Sequence, residues 1–195
     1  MRSLTFPLLV GAALVVAGCI PSLQPLYTDK TTAFDPALVG FWVQDNSDST
    51  WAFVQKETNT YGLTYADKEG KPGQFEARLV KLGDKYFLDL FPEDPRQIEN
   101  AYYKFHLLRV HTFLKMSLDG STLQLAGLDP GWLKRQLDAD PAILRHATVN
   151  DMIVLTASPE ELQKFVRRHA DDKDAFSAVI NLTRKDAATV AATDK

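Results

Sequence analysis

Between Val39 and Phe91 the chain divides into five short segments: Val39–Gln44, Thr50–Glu57, Tyr61–Ala66, Gly73–Leu82 and Lys85–Phe91. Each is rich in aromatic and β-branched residues, and turn formers such as Asp45-Asn46-Ser47-Asp48, Lys68-Glu69-Gly70-Lys71 and Gly83-Asp84 separate them. Strands this short, joined this tightly, pair with their neighbours, so the pattern predicts an antiparallel meander. Alternation supports it: Trp51, Phe53 and Gln55 share one face, and Phe75, Ala77 and Leu79 share another with Glu76 and Arg78 opposite. After the acidic, proline-containing loop Pro92–Glu99, three more strands are expected. They are Tyr102–His111, Thr112–Leu118 (separate or joined across a bend) and, beyond the Asp119-Gly120 turn, Thr122–Leu128. Eight strands in an open sheet leave two bare edges, which closure removes. The predicted fold class is mainly β with α insertions (α+β): an antiparallel up-and-down β-barrel or strongly curved sheet, with helices in the C-terminal third.

The helices are announced by Asp-Pro pairs. Asp129-Pro130, Asp140-Pro141 and, more briefly, Asp35-Pro36 each place an N-cap acceptor before a proline at the first helical position. Ser158-Pro159-Glu160-Glu161 reads as a capping box, followed by Leu162, Phe165, Val166 and His169 on one helical face. Strands expected at Val149–Thr156 and Ala178–Arg184 flank this helix. With 195 residues, 45% hydrophobic and 24% charged, the chain suits a single core. A net charge of −3 gives no electrostatic footprint for nucleic acid. The lone cysteine, Cys19, excludes an internal disulfide and a cysteine-rich zinc framework.

The N-terminus has its own logic. Arg2 precedes the apolar run Leu4–Ala17, and small residues lead into Cys19, the pattern of a secretory signal peptide. As a helix the run would span about 21 Å, short of the ~30 Å hydrocarbon core, which disfavours a permanent transmembrane helix. Val16-Ala17-Gly18-Cys19 resembles the lipobox of bacterial lipoproteins. The resemblance implies diacylglycerol on the Cys19 thiol, cleavage before it, and a new amino terminus open to acylation. Two acyl chains hold a protein stably at a membrane. By the sorting rule of two-membrane bacteria, Ile20 after the cysteine implies the periplasmic face of the outer membrane; in a one-membrane cell the anchor is the cell membrane. The expected organisation is signal peptide 1–18, lipid-anchored tether 19–33 with Pro21 and Pro25 as an extended connector, one β-rich globular domain 34–185, and a disordered tail 186–195.

Gly40-Phe41-Trp42, at the start of the first strand, is similar to the Gly-x-Trp signature of lipocalins. That resemblance implies an eight-stranded barrel closed at one end by Trp42, with Arg184 from the last strand stacked over it. Departures are the insertions from Asp129 to Arg145 before the last strands and the missing disulfide. The stretches Cys-Ile-Pro-Ser-Leu-Gln-Pro-Leu-Tyr, Phe-Asp-Pro-Ala-Leu-Val-Gly-Phe-Trp and Leu-Thr-Ala-Ser-Pro-Glu-Glu-Leu-Gln also resemble a family of uncharacterised bacterial lipoproteins, which implies no activity.

Motifs of common enzymes are missing: the sequence holds no GxSxG, HExxH, Walker glycine loop or GxGxxG. No catalytic residue, metal ligand or cofactor is predicted. His106 and His111 are five apart on an expected strand and read as surface or rim residues, and His146 and His169 read as helix-end residues. The expected function is a lipid-anchored envelope protein whose domain binds a small apolar ligand through Trp51, Phe53, Phe75, Phe87 and Asp89. Asp89 belongs to that set only if its face is inward, and an outward Asp on a half-exposed strand is the commoner arrangement. The alternative is a non-catalytic structural or assembly accessory that binds another envelope protein through a face such as Ala101-Tyr102-Tyr103-Lys104 or the amphipathic helix.

Overall fold

A computed structural model describes residues 20–185. The expected signal peptide (1–18), the expected lipid acceptor Cys19 and the expected tail (186–195) lie outside the described residues. In chain order the elements are β1 (Thr32–Ala33), a 3-10 turn (Pro36–Leu38), β2 (Gly40–Gln44), β3 (Thr50–Gln55), β4 (Tyr61–Ala66), β5 (Pro72–Leu82), β6 (Lys85–Pro92) and α1 (Ala101–Phe105). They continue with β7 (Thr112–Asp119), β8 (Thr122–Gly127), α2 (Pro130–Ala139), β9 (His146–Val149), β10 (Met152–Leu155), α3 (Pro159–His169) and β11 (Ala178–Lys185).

Eight of the strands close into an antiparallel barrel, ordered β5-β4-β3-β2-β11-β8-β7-β6 with β6 returning to β5. Every barrel connection joins neighbours, as an up-and-down barrel requires; two are long, the β6–β7 loop that holds α1 and the step from β8 to β11, which holds α2, the β9–β10 hairpin and α3. The fold class predicted from the strand pattern is the one observed. Strand β5 is long enough to have two partners on one edge: β4 covers its first half, and β1 pairs Thr32 with Val80 where β4 has ended.

The period-two pattern sorts side chains into two cores. Trp42, Trp51, Phe53, Tyr61, Leu63, Leu79, Leu88, Leu114, Leu125 and Leu182 turn inward and fill the barrel. Val80, Leu82, Phe87 and Phe113 turn outward, where α2, α3 and the N-terminal residues cover them, with Trp132, Leu133, Phe165 and Val166 supplied by the helices. Complete burial of such a side chain is worth ~1.5–3 kcal/mol, so both cores hold the sheet.

Local chemistry explains the helix starts. The Asp129 carboxylate accepts the Trp132 amide (2.6 Å) and the Ser177 hydroxyl (3.1 Å), tying the start of α2 to the chain returning toward β11. Ser158 and Glu161 form the expected capping box of α3. A side-chain hydrogen bond from Arg145, with the Ser158 amide, holds the Glu161 carboxyl below its ordinary range.

Three local expectations are corrected. Tyr102–His111 is not a strand: Asn100 caps α1 by accepting the Tyr103 amide (2.8 Å), and β6 pairs directly with β7 through Leu90 and Thr112, leaving 93–111 outside the ladder. Asp140-Pro141 starts no helix, because Asp140 already terminates α2 and its carboxylate closes a turn onto the Ala142 amide. The expected strand Val149–Thr156 is broken near its start: Val149 ends β9, Asn150 and Asp151 turn the chain at φ 48° and 63°, values suited to a tight hairpin turn, and only Met152–Leu155 form the second arm of this separate hairpin.

One end of the barrel is shut by the contact that the lipocalin resemblance implies. The Arg184 guanidinium lies 4.3 Å over the Trp42 ring, donates from Nη1 to the Val39 carbonyl (2.9 Å) and from Nη2 to that of Ala37. The Trp42 indole donates to the Leu38 carbonyl (3.0 Å), and Leu38 is fully buried beneath it. Gly40 has φ 144°, and a β-carbon there would collide with Arg184 Nη1. Gly40→Ala is therefore expected to destabilise the fold by about 2–4 kcal/mol in urea unfolding, from strained backbone and a displaced guanidinium; a loss within error would show that this end tolerates rearrangement.

Candidate functional site

The residues expected to form an apolar ligand site fall in two places. Trp51 and Phe53 point into the barrel and Phe75 packs against that inner cluster. Phe87 belongs to the outer core, and Asp89, two residues on, shares its outward face. This corrects the expectation that the five line one cavity. Strand β6 carries Leu88 and Leu90 inward, so the pleat sends Phe87 and Asp89 outward. Inside the barrel, Trp51 sits across the ladder from Trp42, stacks with Phe53 at 6.4 Å and meets Tyr65 edge-on at 5.1 Å. The interior is occupied by these rings and by leucines, as an eight-stranded barrel permits. Surface concavities of about 540 and 710 Å³ lie outside it: one runs between the outer face of β3–β5 and residues 92–97, the other between Ile20, α2 and the β9–β10 hairpin. Trp51 and Phe53 line neither, and Phe75 borders the first.

Asp89 is only 1% exposed although it faces away from the lumen. What covers it is the stretch 20–33, expected to be a free connector and found laid into the fold. Ser22 exchanges both backbone hydrogen bonds with His111 (2.8 Å each), and on its other side Leu155 and Leu23 bond the chain through the Pro21 carbonyl and the Leu155 carbonyl (2.8 and 2.9 Å). The next turn crosses Asp89: its Oδ2 accepts the Leu26 amide (2.7 Å) and its Oδ1 accepts from Nδ1 of His111 (2.7 Å). Gln163 of α3 donates to the Leu26 carbonyl (2.8 Å) and Leu26 is fully buried. This segment is a strap, not a leash.

Aromatic and cationic groups surround the pair. Phe91 stacks on His111 at 4.4 Å, Arg109 lies 4.8 Å over Phe91, and Arg78, the ladder partner of Asp89, lies 4.7 Å over Tyr27. Burial pushes the Tyr27 hydroxyl above the ordinary tyrosine range, against the opposing pull of Arg78. His111 was expected at the surface or rim; instead it is nearly buried. Its partner could have been suspected from Phe87-Leu88-Asp89-Leu90-Phe91, where both faces of one strand are apolar, the mark of a strand covered on both sides. His146 opens β9 and bonds the Leu144 carbonyl (2.9 Å), whereas His169 ends α3, bonds Asp172 (2.7 Å) and packs against Trp132 and Phe165. Among the described residues no three His, Cys, Asp or Glu side chains converge as metal ligands.

The chain between β6 and β7 projects from the barrel rim with its apolar residues bare. Tyr102 is 77% exposed, Phe105 82% and Leu108 74%, with Tyr103 and Leu107 also exposed. Lys104 bonds Asp94, and Tyr102 and Phe105 meet His106 edge-on at 4.8 and 5.6 Å. These rings pack on their own loop and not on the core.

No protein-family model matches the chain, nor does any curated protein or solved structure.

The strap depends on Asp89. Asp89→Ala leaves the buried Leu26 amide and His111 without their acceptor and is expected to cost about 2–4 kcal/mol in urea unfolding, with amide protection lost at Leu26 and Leu155. Asp89→Asn keeps one acceptor oxygen and should cost less; equal losses for the two would mean that charge, not the strap's hydrogen bond, is what matters.

Proposed function

We propose that the protein is a lipid-anchored, non-catalytic accessory of the cell envelope: diacylglycerol on Cys19 attaches it, the barrel is a rigid scaffold, and the rim loop Tyr102–Leu108 is its binding face. The observation that carries this reading is the contrast between a barrel interior filled by its own side chains and five large apolar residues left bare within seven positions of one loop. An apolar patch of this kind marks an interaction surface in proteins that otherwise bury such residues. Two measurements test it. The mature protein should carry acyl mass on Cys19, and an unmodified N-terminus elsewhere rejects the anchor. With Cys19 lipidated, Phe105→Cys supplies the one free thiol in the mature chain; a water-soluble maleimide should label it slowly in intact envelopes and fully after detergent extraction. Equal labelling in both would show the loop unoccupied.

A second reading, a small apolar ligand held inside the barrel, is favoured by one observation. The Trp51 indole N–H is buried with no hydrogen-bond partner, and Tyr65 beside it is only partly buried. An unpartnered buried donor is costly, and a ligand oxygen would satisfy it. Mass spectrometry of lipids recovered with the Cys19→Ala form tests this; repeated recovery of none rejects it.

A further inference from the structure

We infer that the rim loop Tyr102–Leu108 seats in the lipid bilayer as a second membrane contact beside the Cys19 anchor. The inference rests on the anchored reading above and names the partner of its binding face.

The anchor has no slack. From Pro21 onward the backbone is bonded into the fold, and Ile20 is buried in the outer core. An acyl chain on Cys19 is therefore one peptide unit from folded surface, and no leash holds the domain away from the bilayer.

Connectivity keeps the two contacts close. Ser22, three residues after Cys19, is laddered to His111, three residues after Leu108. Each three-residue arm reaches at most about 11 Å and the ladder adds ~5 Å, so lipid and loop cannot be separated by more than roughly 27 Å. One flat bilayer surface can meet both.

The loop's side chains match the membrane boundary. Two tyrosines, a phenylalanine and two leucines, with Lys104 inside the set and Arg109 at its end, are the residues that suit the boundary between headgroups and acyl chains. There tyrosine keeps its hydroxyl wet and its ring dry. A protein partner for so short a projection would need a matching pocket, whereas a bilayer needs none. Nor must the loop bind tightly alone, because the anchor already supplies a high local concentration of lipid.

The test uses the lipidated mature chain in vesicles of phosphatidylethanolamine and phosphatidylglycerol, with plain or brominated acyl chains. Trp42, Trp51 and Trp132 are buried, so a Phe105→Trp variant adds the one exposed indole. Its emission should shift to the blue on reconstitution and fall about twofold in the brominated vesicles, as for a ring ~5–10 Å below the headgroups. In the same protein, Leu108→Asp should reverse the shift while acyl mass and flotation with vesicles stay unchanged. Acylated, floating protein whose new indole is unquenched overturns the inference, leaves the anchored reading standing, and makes a protein the occupant of the loop. Absence of acyl mass on Cys19 overturns both.

Discussion

The seam between β11 and β2 is the constraint on which the rest of the structure depends. Barrel strands β2 to β8 follow one another in chain order, by short turns except for the 93–111 loop between β6 and β7, but β11 arrives only after the excursion from 128 to 177, so its pairing closes a long loop and carries the entropy of doing so. What offsets that cost is concentrated at the joint: four register pairs from Leu182–Gln44 to Lys185–Phe41, the Arg184 guanidinium over Trp42, and the carbonyls of Ala37 and Val39 that it holds. Opening the seam would bare both edges and unstack the lid over the lumen together. The excursion is not passive, because α2 and α3 cover the outward side chains of β5, β6 and β7.

Those outward side chains explain why the N-terminal segment is folded. A barrel in water ordinarily shows polar residues on its outer face, yet here Val80, Leu82, Phe87 and Phe113 are apolar and two helices do not cover them all. Residues 20–33 complete the layer. Laying an extended strand across a sheet face buries backbone as well as side chains, and the amides must find acceptors. Asp89 is placed on that face to meet the Leu26 amide, with His111 meeting the second carboxylate oxygen. A carboxylate in an apolar strand is thus a structural acceptor set where the strap crosses.

Legibility divided along the same physical lines. Seven of the eight barrel strands were readable because hairpin turns and period-two alternation are local signals, as were the caps at Asp129 and Ser158; the Gly40, Trp42, Arg184 end was implied only by the lipocalin resemblance, and β11, expected as a strand flanking the last helix, enters the barrel through long-range pairing. Residues 102–111 misled because Tyr, Phe, Leu and Val in alternation look like a strand; only the direct β6–β7 pairing, a tertiary fact, leaves them outside the sheet. The strap misled because Pro21 and Pro25 with polar neighbours resemble a linker, while its anchoring contacts are to residues far along the chain, at Asp89, His111, Leu155 and Gln163. For the site, Trp51, Phe53 and Phe75 were placed on the right face, and Phe87 and Asp89 required knowledge of which way β6 entered the barrel.

A closed barrel can act through its lumen, its ends or its outer face, and this chain narrows the choice by how it spends its apolar residues. The lumen is occupied by its own rings, one end is shut by Arg184 over Trp42, and much of the outer face is committed to helices and strap. What remains uncommitted is the open rim, where the β6–β7 connection could have been a two-residue turn like its neighbours at Gly83-Asp84 and Gly120-Ser121. Instead it runs from 93 to 111 and carries its most exposed aromatics outward. A loop that adds nothing to either core and exposes residues that water disfavours is the part of the fold best suited to a contact outside the chain, which is why the proposed binding face is placed there. The strap brings the start of the described chain alongside that same loop through Ser22 and His111, so in the proposed reading anchorage and binding face are parts of one surface.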